Sequence, residues 1–178
     1  MTATVALQQF LERLFRPGDG LIELRSLPSK SRCFVEPGAQ SLIERFVDEH
    51  INEDIYFGVA ARRDSSSGRL ENCTRVRAVF VDLDFKSFNS PDEAQRKLDF
   101  FPLKPSLIVN SGGGIHAYWL LGDPIVLSTG AAAFRNLLRR TARALSADLA
   151  SAEPARVLRL PGTFNHKYSP PREVKLVG

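Results

Sequence analysis

The sequence predicts an α+β fold in which a mostly antiparallel sheet is flanked by helices. Two observations predict it: apolar residues recur with helical spacing in some segments and alternate in others, and these segments mix without a strict strand–helix repeat. A chain of 178 residues is long enough for one domain with a sizeable core. Its 43% hydrophobic and 25% charged residues are typical of globular proteins and argue against wholesale disorder.

Charge and cysteine content limit the partners and the compartment. Lys and Arg number 24 against 20 Asp and Glu, and the net charge of +4 favours an anionic partner without identifying nucleic acid. Cys33 and Cys73 have no metal-binding spacing, which argues against a disulfide framework or zinc site and favours a reducing, cytoplasmic location. No export signal or membrane-spanning segment is visible, so we expect no membrane partner.

The first seventy residues predict a small α/β module. A helical stripe from Leu7 to Phe15 indicates an N-terminal helix, which the Pro-Gly-Asp-Gly segment at 17–20 ends. Ser41 and Glu44 have the spacing of a capping box, so a second helix should begin there and run to about His50. Strands are predicted at 21–27, 32–35 and 54–61, and a polar loop at 62–69.

The remainder predicts a larger set of strands and helices. The clearest strand covers 75–84, and Ser90 caps a helix that has Pro91 in its first turn. Strands at 106–111 and 115–121 flank three glycines and predict a hairpin. A longer helix begins at Ser128, and its apolar stripe consists of Phe134, Leu137, Leu138, Thr141 and Leu145. Strands are also predicted at 157–160 and 173–177, the last being either a terminal edge strand or a sign that the protein continues.

Two aspartates form the first candidate site. Asp82 and Asp84 lie on one face at the end of a predicted strand, roughly 6–7 Å apart along the chain. Two carboxylates so placed suit a hard divalent cation, and without a cation or base their charges are costly beside apolar residues such as Phe80. The alternative is that they only end the strand and cap the next turn.

The segment from Ser111 to His116 is the second candidate. Its three glycines suggest a place where a side chain would obstruct a turn or ligand, and their amides could face phosphate oxygens. The imidazole of His116 could donate to a phosphate or transfer a proton. A hairpin turn with a surface histidine is the alternative interpretation.

A basic segment is the third candidate. Arg156 and Arg159 point to opposite faces of a predicted strand, and the turn at 161–162 returns Asn165 and Lys167 to the same edge. Such a cluster suits a triphosphate or a nucleic-acid backbone, although a solvated basic turn fits equally well. One predicted helix also carries a basic stripe that consists of Arg135, Arg139 and Arg143. This stripe is either a second phosphate-binding track or an ordinary solvated surface.

Together these segments resemble the archaeo-eukaryotic primase superfamily, in particular its RepB-like primase–polymerase branch from plasmids, phages and integrated elements. Asp82 and Asp84 match the first motif, two acids separated by one residue. The segment 111–116 contains the second, a small residue, any residue and then histidine. The third is a single carboxylate, followed in this branch by Arg-Leu-Pro-Gly-Thr-x-Asn, which 159–165 match.

The resemblance implies a metal-dependent nucleotidyltransferase that synthesises primers or DNA on a template. It implies an RRM-like catalytic core at about 71–178 behind the α/β module at about 1–70, within a longer protein. The implied ligands of Mg²⁺ or Mn²⁺ are Asp82, Asp84 and Asp148, with Glu153 as the alternative third acid, and His116 joins them as catalytic. The implied nucleotide-binding residues are Ser111, Gly113, Gly114, His116, Arg159, Asn165 and Lys167.

The implied partners are nucleoside or deoxynucleoside triphosphates, a single-stranded DNA template and a helicase domain or partner. The template would contact Arg135, Arg139, Arg143 and Arg156 and stack on Tyr118 or Phe164. Two other functions fit the same residues: a non-catalytic domain that binds single-stranded nucleic acid, and a metal-dependent nuclease. A nuclease has no use for a triphosphate pocket, so Arg159 and Lys167 count against it.

Overall fold

The structure is a computed structural model that describes residues 3–177. Four α-helices lie in this range: α1 (Ala3–Leu14), α2 (Gln40–Glu49), α3 (Pro91–Asp99) and α4 (Leu127–Leu145). The first strands are β1 (Ile22–Leu27), β2 (Arg32–Val35), β3 (Asp54–Gly58), β4 (Arg75–Asp84) and β5 (Leu107–Asn110). The others are β6 (Gly114–Val126), β7 (Val157–Arg159), β8 (Phe164–Asn165), β9 (Arg172–Glu173) and β10 (Lys175–Leu176).

The strands form two four-stranded sheets and a two-stranded ribbon. The N-terminal sheet has the order β2-β1-β3-β7, the central sheet has the order β10-β5-β6-β4, and β8 pairs with β9. Every pairing of these strands is antiparallel, which confirms the predicted α+β class, although two sheets replace the single sheet expected. Strand β7 lies late in the chain but joins the N-terminal sheet beside β3.

The central sheet follows the β-α-β-β-α order expected of an RRM-like core. The elements β4, α3, β5, β6 and α4 follow one another, and β10 adds a fourth strand beside β5. An irregularity between Val76 and Ala78 shifts the register of β4 against β6. Beyond it, Asp82 lies opposite His116 and Asp84 opposite Gly114. Two of the candidate segments therefore meet at one end of this sheet.

Helix α1 packs between the two sheets. The Phe10 ring centroid lies 5.3 Å from that of Phe57 in β3 and 5.5 Å from that of Tyr118 in β6. All three side chains are fully buried, and the predicted apolar stripe of this helix belongs to the core. Edge-to-face aromatic contacts of this kind stabilise a core beyond the area they bury.

Two local predictions are wrong. Helix α2 begins at Gln40, one residue before Ser41, and its N-cap Ala39 makes no side-chain cap. The carboxylate of Glu44 instead accepts a hydrogen bond from the side-chain amide of Gln40 at 3.0 Å, so no capping box forms. In α4, four residues of the predicted apolar stripe are buried (Phe134, Leu138, Thr141 and Leu145), but Leu137 is 40% exposed, and Ala142 is buried in addition.

Other local predictions are confirmed or refined. Ser90 caps α3 by accepting a hydrogen bond from the Glu93 amide. The predicted last strand is instead two short strands on either side of buried Val174. Across residues 3–177, no helix combines the length and apolar character needed to cross a membrane.

Candidate active site

A polar cavity of about 270 Å³ lies where the two sheets meet. The ends of β4 and β6 form one wall, which we call the acidic wall, and β7 with the segment that follows forms the other, the basic wall. The structure brings nearly all of the predicted site residues to this cavity. Those that line it are Asp82, Asp84, Ser111, Gly113, Gly114, His116, Asp148, Arg156, Arg159, Asn165 and Lys167.

The β4 carboxylates retain oxygens that can bind a ligand. One Asp82 oxygen lies 3.7 Å from His116 Nε2, and the other lies 3.8 Å from an Arg156 nitrogen, both too far for a good hydrogen bond. Asp84 caps the turn at 85–87 by accepting a hydrogen bond from the backbone amide of Lys86 at 3.0 Å. The alternative interpretation, in which the aspartates cap the next turn, therefore also holds for Asp84. Carboxylate oxygens are the donors that Mg²⁺ and Mn²⁺ prefer.

His116 is a buried histidine rather than a surface one. Its residue is only 3% exposed, and the Nδ1 atom has no hydrogen-bond partner among the described residues. Burial lowers the pKa of the imidazole; nearby Asp82 opposes this effect, and Arg159 and Arg156 add to it. The ring is therefore neutral at pH 7 and can offer a hydrogen bond, not a positive charge.

The glycine loop is shaped by close packing. Gly112 has a φ of +80°, and a Cβ at Gly114 would lie 2.5 Å from the Leu83 carbonyl oxygen. A Cβ at Gly113 would lie 2.6 Å from the Tyr168 hydroxyl. Backbone contact with β4 and with Tyr168 therefore explains these glycines without a phosphate, although both Gly113 and Gly114 line the cavity.

Arg159 is held by a residue that sequence reasoning missed. Its guanidinium contacts both Asp54 oxygens, at 2.7 and 2.8 Å, and lies 4.9 Å from the Tyr56 ring centroid. Burial alone would raise the pKa of Asp54, but hydrogen bonds from Arg159 and the His166 amide outweigh it and lower that pKa. The Arg159 charge is thus already balanced. In the sequence, the only local indication was that Asp54 comes two residues before Tyr56 on a predicted strand, which places both side chains on the same face.

Asn165 joins the third candidate segment to the second. Its amide donates to the Ser111 carbonyl oxygen at 2.8 Å, and its own oxygen accepts from the Lys167 amide at 3.2 Å. The exposed side chain of Lys167 lines the cavity, as does that of Lys86, which the sequence did not single out. Asn165 therefore acts as a structural link, and the lysines are free to reach a ligand.

Solved structures with a similar fold identify the fold of this chain. The AEP domain of the cyanophage S-2L primase–polymerase matches 98% of this chain over 89% of its own length, with a TM-score of 0.69 and 18% sequence identity. The chain has the fold of an archaeo-eukaryotic primase–polymerase domain. The sequence itself matches no family model, and no curated protein is significantly similar to it.

Two structures of primase RepB′ share this primase–polymerase fold. One has a TM-score of 0.58 at 18% identity, and this chain covers 56% of that protein's length. The other is the RepB′ catalytic domain in complex with initiator DNA, with a TM-score of 0.54, 18% identity and 85% of its length covered. At such identity the likeness establishes the fold alone.

Within the primase–polymerase fold, Asp148 faces the cavity and Glu153 does not. Asp148 lies on the exposed turn before β7, where it accepts from the Ala150 amide at 2.8 Å. Glu153 is paired with Arg135 at 2.6 Å and with Arg139 at 3.1 Å. Residues 3–177 nevertheless contain no group of three His, Cys, Asp or Glu close enough to hold a metal, so the predicted three-carboxylate cluster is not assembled.

The predicted template residues separate into two groups. Arg156 lines the cavity, whereas Arg135, Arg139 and Arg143 lie away from it on α4. The fully buried Tyr118 cannot stack on a base, so that prediction is wrong, because its ring packs against α1. The Phe164 side chain, by contrast, is exposed.

Proposed function

We propose that this domain is a primase–polymerase, a template-directed nucleotidyltransferase that uses Mg²⁺ or Mn²⁺ to make primers or DNA for a mobile element. One observation carries the proposal: the β4 carboxylates, His116 and the basic segment at 156–167 come from distant parts of the chain and line one cavity. Its substrates are nucleoside or deoxynucleoside triphosphates and single-stranded DNA. The free cysteines Cys33 and Cys73 are compatible with work in the cytoplasm.

In this proposal the acidic wall holds the cation. Asp82 and Asp84 would be the principal ligands. Asp148 lines the same cavity and would be the third ligand, although it does not form a cluster with them in this structure. A bound divalent cation supplies charge stabilisation to the oxygens that attack and leave the α-phosphate. The carboxylates would hold that ion, and His116, whose Nε2 lies 3.7 Å from Asp82, would offer its neutral N–H to a phosphate oxygen.

The basic wall receives the triphosphate. Arg156, Lys167 and Lys86 supply positive charge at the cavity, since their side chains are at least partly exposed there. Arg159 stays in the nucleotide pocket, but its charge is balanced by Asp54, so it contributes shape and hydrogen bonding. The Ser111–Gly114 loop would pack against the nucleotide. A helicase, as a further domain or a partner, would supply the single-stranded template.

A synthesis assay tests the proposal. The protein is incubated with a single-stranded DNA template, Mg²⁺ or Mn²⁺ and labelled triphosphates. Longer products that depend on the template support a primase–polymerase, whereas a shortened template indicates a nuclease. Neither product, together with template binding that needs no divalent ion and survives Asp82→Asn with Asp84→Asn, indicates a binding domain.

A further inference from the structure

A row of side chains crosses the N-terminal sheet and leads away from the cavity. In the strand register, Arg32 lies beside Arg25, Arg25 beside Tyr56, and Tyr56 beside Arg159. Residues directly opposite each other on neighbouring strands project from the same face of a sheet. These four residues, which we call the arginine row, therefore cross all four strands. Three strand spacings make the row about 14 Å long.

The face that carries the arginine row is the outer face of the sheet. The opposite face presents Leu24, Phe57 and Leu158 to the core, and α1 packs there through Phe10. On the outer face, the Arg32 side chain is 45% exposed and that of Arg25 is 25% exposed. Tyr56 is half-buried. A ligand can therefore reach Arg32, Arg25 and Tyr56 from solvent, whereas Arg159 at the end of the row is buried.

The arginine row carries more positive than negative charge. Its nearest carboxylate, the fully buried Glu23, lies 2.7 Å from Arg25, 2.8 Å from Arg62 and 3.9 Å from Arg32. Three guanidinium groups thus share one carboxylate. The Nε of Arg25 is buried and has no hydrogen-bond partner within residues 3–177, so only the outer nitrogens of this guanidinium are candidates to meet a ligand. At the other end, Asp54 balances only Arg159. Phosphate groups would supply the missing negative charge.

We propose that the arginine row binds the single-stranded DNA template, with backbone phosphates on Arg25 and Arg32. Tyr56 and Arg159 line the cavity, so the row is continuous with it. Cationic grooves interleaved with aromatic rings are the usual platform for single-stranded nucleic acid. The basic stripe on α4, which the sequence suggested for the template, is less suited to this task, because Arg135 and Arg139 already form ion pairs with Glu153. That the bound strand is a template rests on the proposed function.

A DNA-binding titration tests the arginine row without requiring nucleotide synthesis. Fluorescence anisotropy of a labelled oligodeoxythymidine, at several salt concentrations and without divalent metal or triphosphate, compares wild type with variants. Arg32→Ala should weaken binding roughly fivefold at low salt and reduce the slope of log affinity against log salt by about 0.7, the value of one phosphate contact. Adding Arg25→Gln, which keeps a hydrogen-bond donor for Glu23, should weaken it further. Thermal melting checks that each variant is folded.

Matched variants exclude a general effect of charge. Arg45→Ala removes the same charge from a 67% exposed side chain on α2, outside the row, and should bind within about twofold of wild type. The proposal fails if the row variants bind as Arg45→Ala does, or if Arg143→Ala on α4 causes the loss instead.

The titration separates this proposal from the proposed function. Asp82→Asn with Asp84→Asn should bind the oligonucleotide normally while losing synthesis. If wild type makes no product but the row variants lose DNA binding, the row stands and the nucleotidyltransferase proposal falls. If wild type makes product and the row variants bind fully, only the row is overturned.

Discussion

Asp82 on the acidic wall and Arg159 on the basic wall differ in how their charges are held. On the acidic wall, the ion-pair partners of Asp82 in the described part of the chain lie 3.7 and 3.8 Å away, so its oxygens remain available for a ligand. On the basic wall, Arg159 is only 5% exposed and is held on two sides by Asp54 and Tyr56. A charged side chain that is already paired helps to fix the geometry of a site, whereas an unpaired one remains available to bind a ligand.

The largest expected effect is on the acidic wall. Asp82→Asn with Asp84→Asn should reduce synthesis by roughly a thousandfold or more, because the cation loses its principal ligands. Removing like charges should leave the thermal unfolding midpoint unchanged or slightly higher. Primer extension and calorimetry measure the two quantities. Synthesis by this variant at the wild-type rate would contradict the assignment of both residues. Asp148→Ala should also lose synthesis, and Glu153→Ala, outside the cavity, should not.

On the basic wall, the expected effect is on stability. Asp54→Ala leaves the Arg159 guanidinium buried without a partner, which should lower the free energy of unfolding by about 3–5 kcal/mol. Urea denaturation measures this change. Glu153→Ala breaks an ion pair whose side chains are all more than one-third exposed, and should cost less than about 1 kcal/mol. Equal losses in the two variants would mean that the buried Asp54–Arg159 pair contributes no more to stability than an exposed ion pair.

Close packing behind the acidic wall predicts a smaller effect. Gly114→Ala places a methyl group 2.5 Å from the Leu83 carbonyl oxygen, next to Asp84, and should cost about 1–3 kcal/mol of stability. Gly122→Ala, in the same strand, meets nothing within 4 Å and should be neutral. Urea denaturation of both variants checks the difference. A neutral Gly114→Ala would show that β4 and β6 can separate at no cost.

The smallest expected effect is the pH dependence from His116. Its pKa is lowered by burial, so the unfolded chain binds a proton at higher pH than the folded protein. Stability is then fully present above the ordinary histidine pKa of about 6.5 and falls as the pH drops below it, by at most about 1.4 kcal/mol per pH unit. Urea denaturation followed by Trp119 fluorescence measures this fall.

Variants assign the pH effect to one residue. His116→Gln should flatten the decline between pH 6.5 and 5, whereas His50→Gln on the end of α2 should retain it. The lowered pKa of Asp54 acts in a separate window, since its contribution is lost only as the pH falls below about 3.8. A decline that persists in His116→Gln would rule this histidine out as its source.

Elements whose signals are local were predictable from the sequence. The alternation of apolar residues predicted β4 at 75–84, where the structure has it, and the Ser90 cap of α3 was also correct. The end of β6 was not predictable, because it extends to Val126 only by pairing with Arg75 across the sheet. The start of α2 was missed for a local reason, since Glu44 accepts from the side-chain amide of Gln40, four residues earlier, instead of completing a capping box.

The candidate site shows the same limit. Motif spacing predicted which residues would line the cavity, but not which charges would already be paired. Asp54 precedes Arg159 by 105 residues, and only the pairing of β3 with β7 brings them together. Likewise, Glu153 and Arg135 each looked available in the sequence until the fold paired them. Which of the predicted charges are available for binding is therefore a property of the tertiary structure.

The Phe10 ring lies between the two sheets that carry the acidic and basic walls, so a change in its size would be felt by both sheets. It touches Phe57, the neighbour of Tyr56, and Tyr118, two residues beyond His116. A smaller side chain at this position would let the sheets settle closer, and a bulkier one would wedge them open. The width available to an incoming nucleotide can thus drift during evolution through the N-terminal helix alone, while every motif residue stays unchanged.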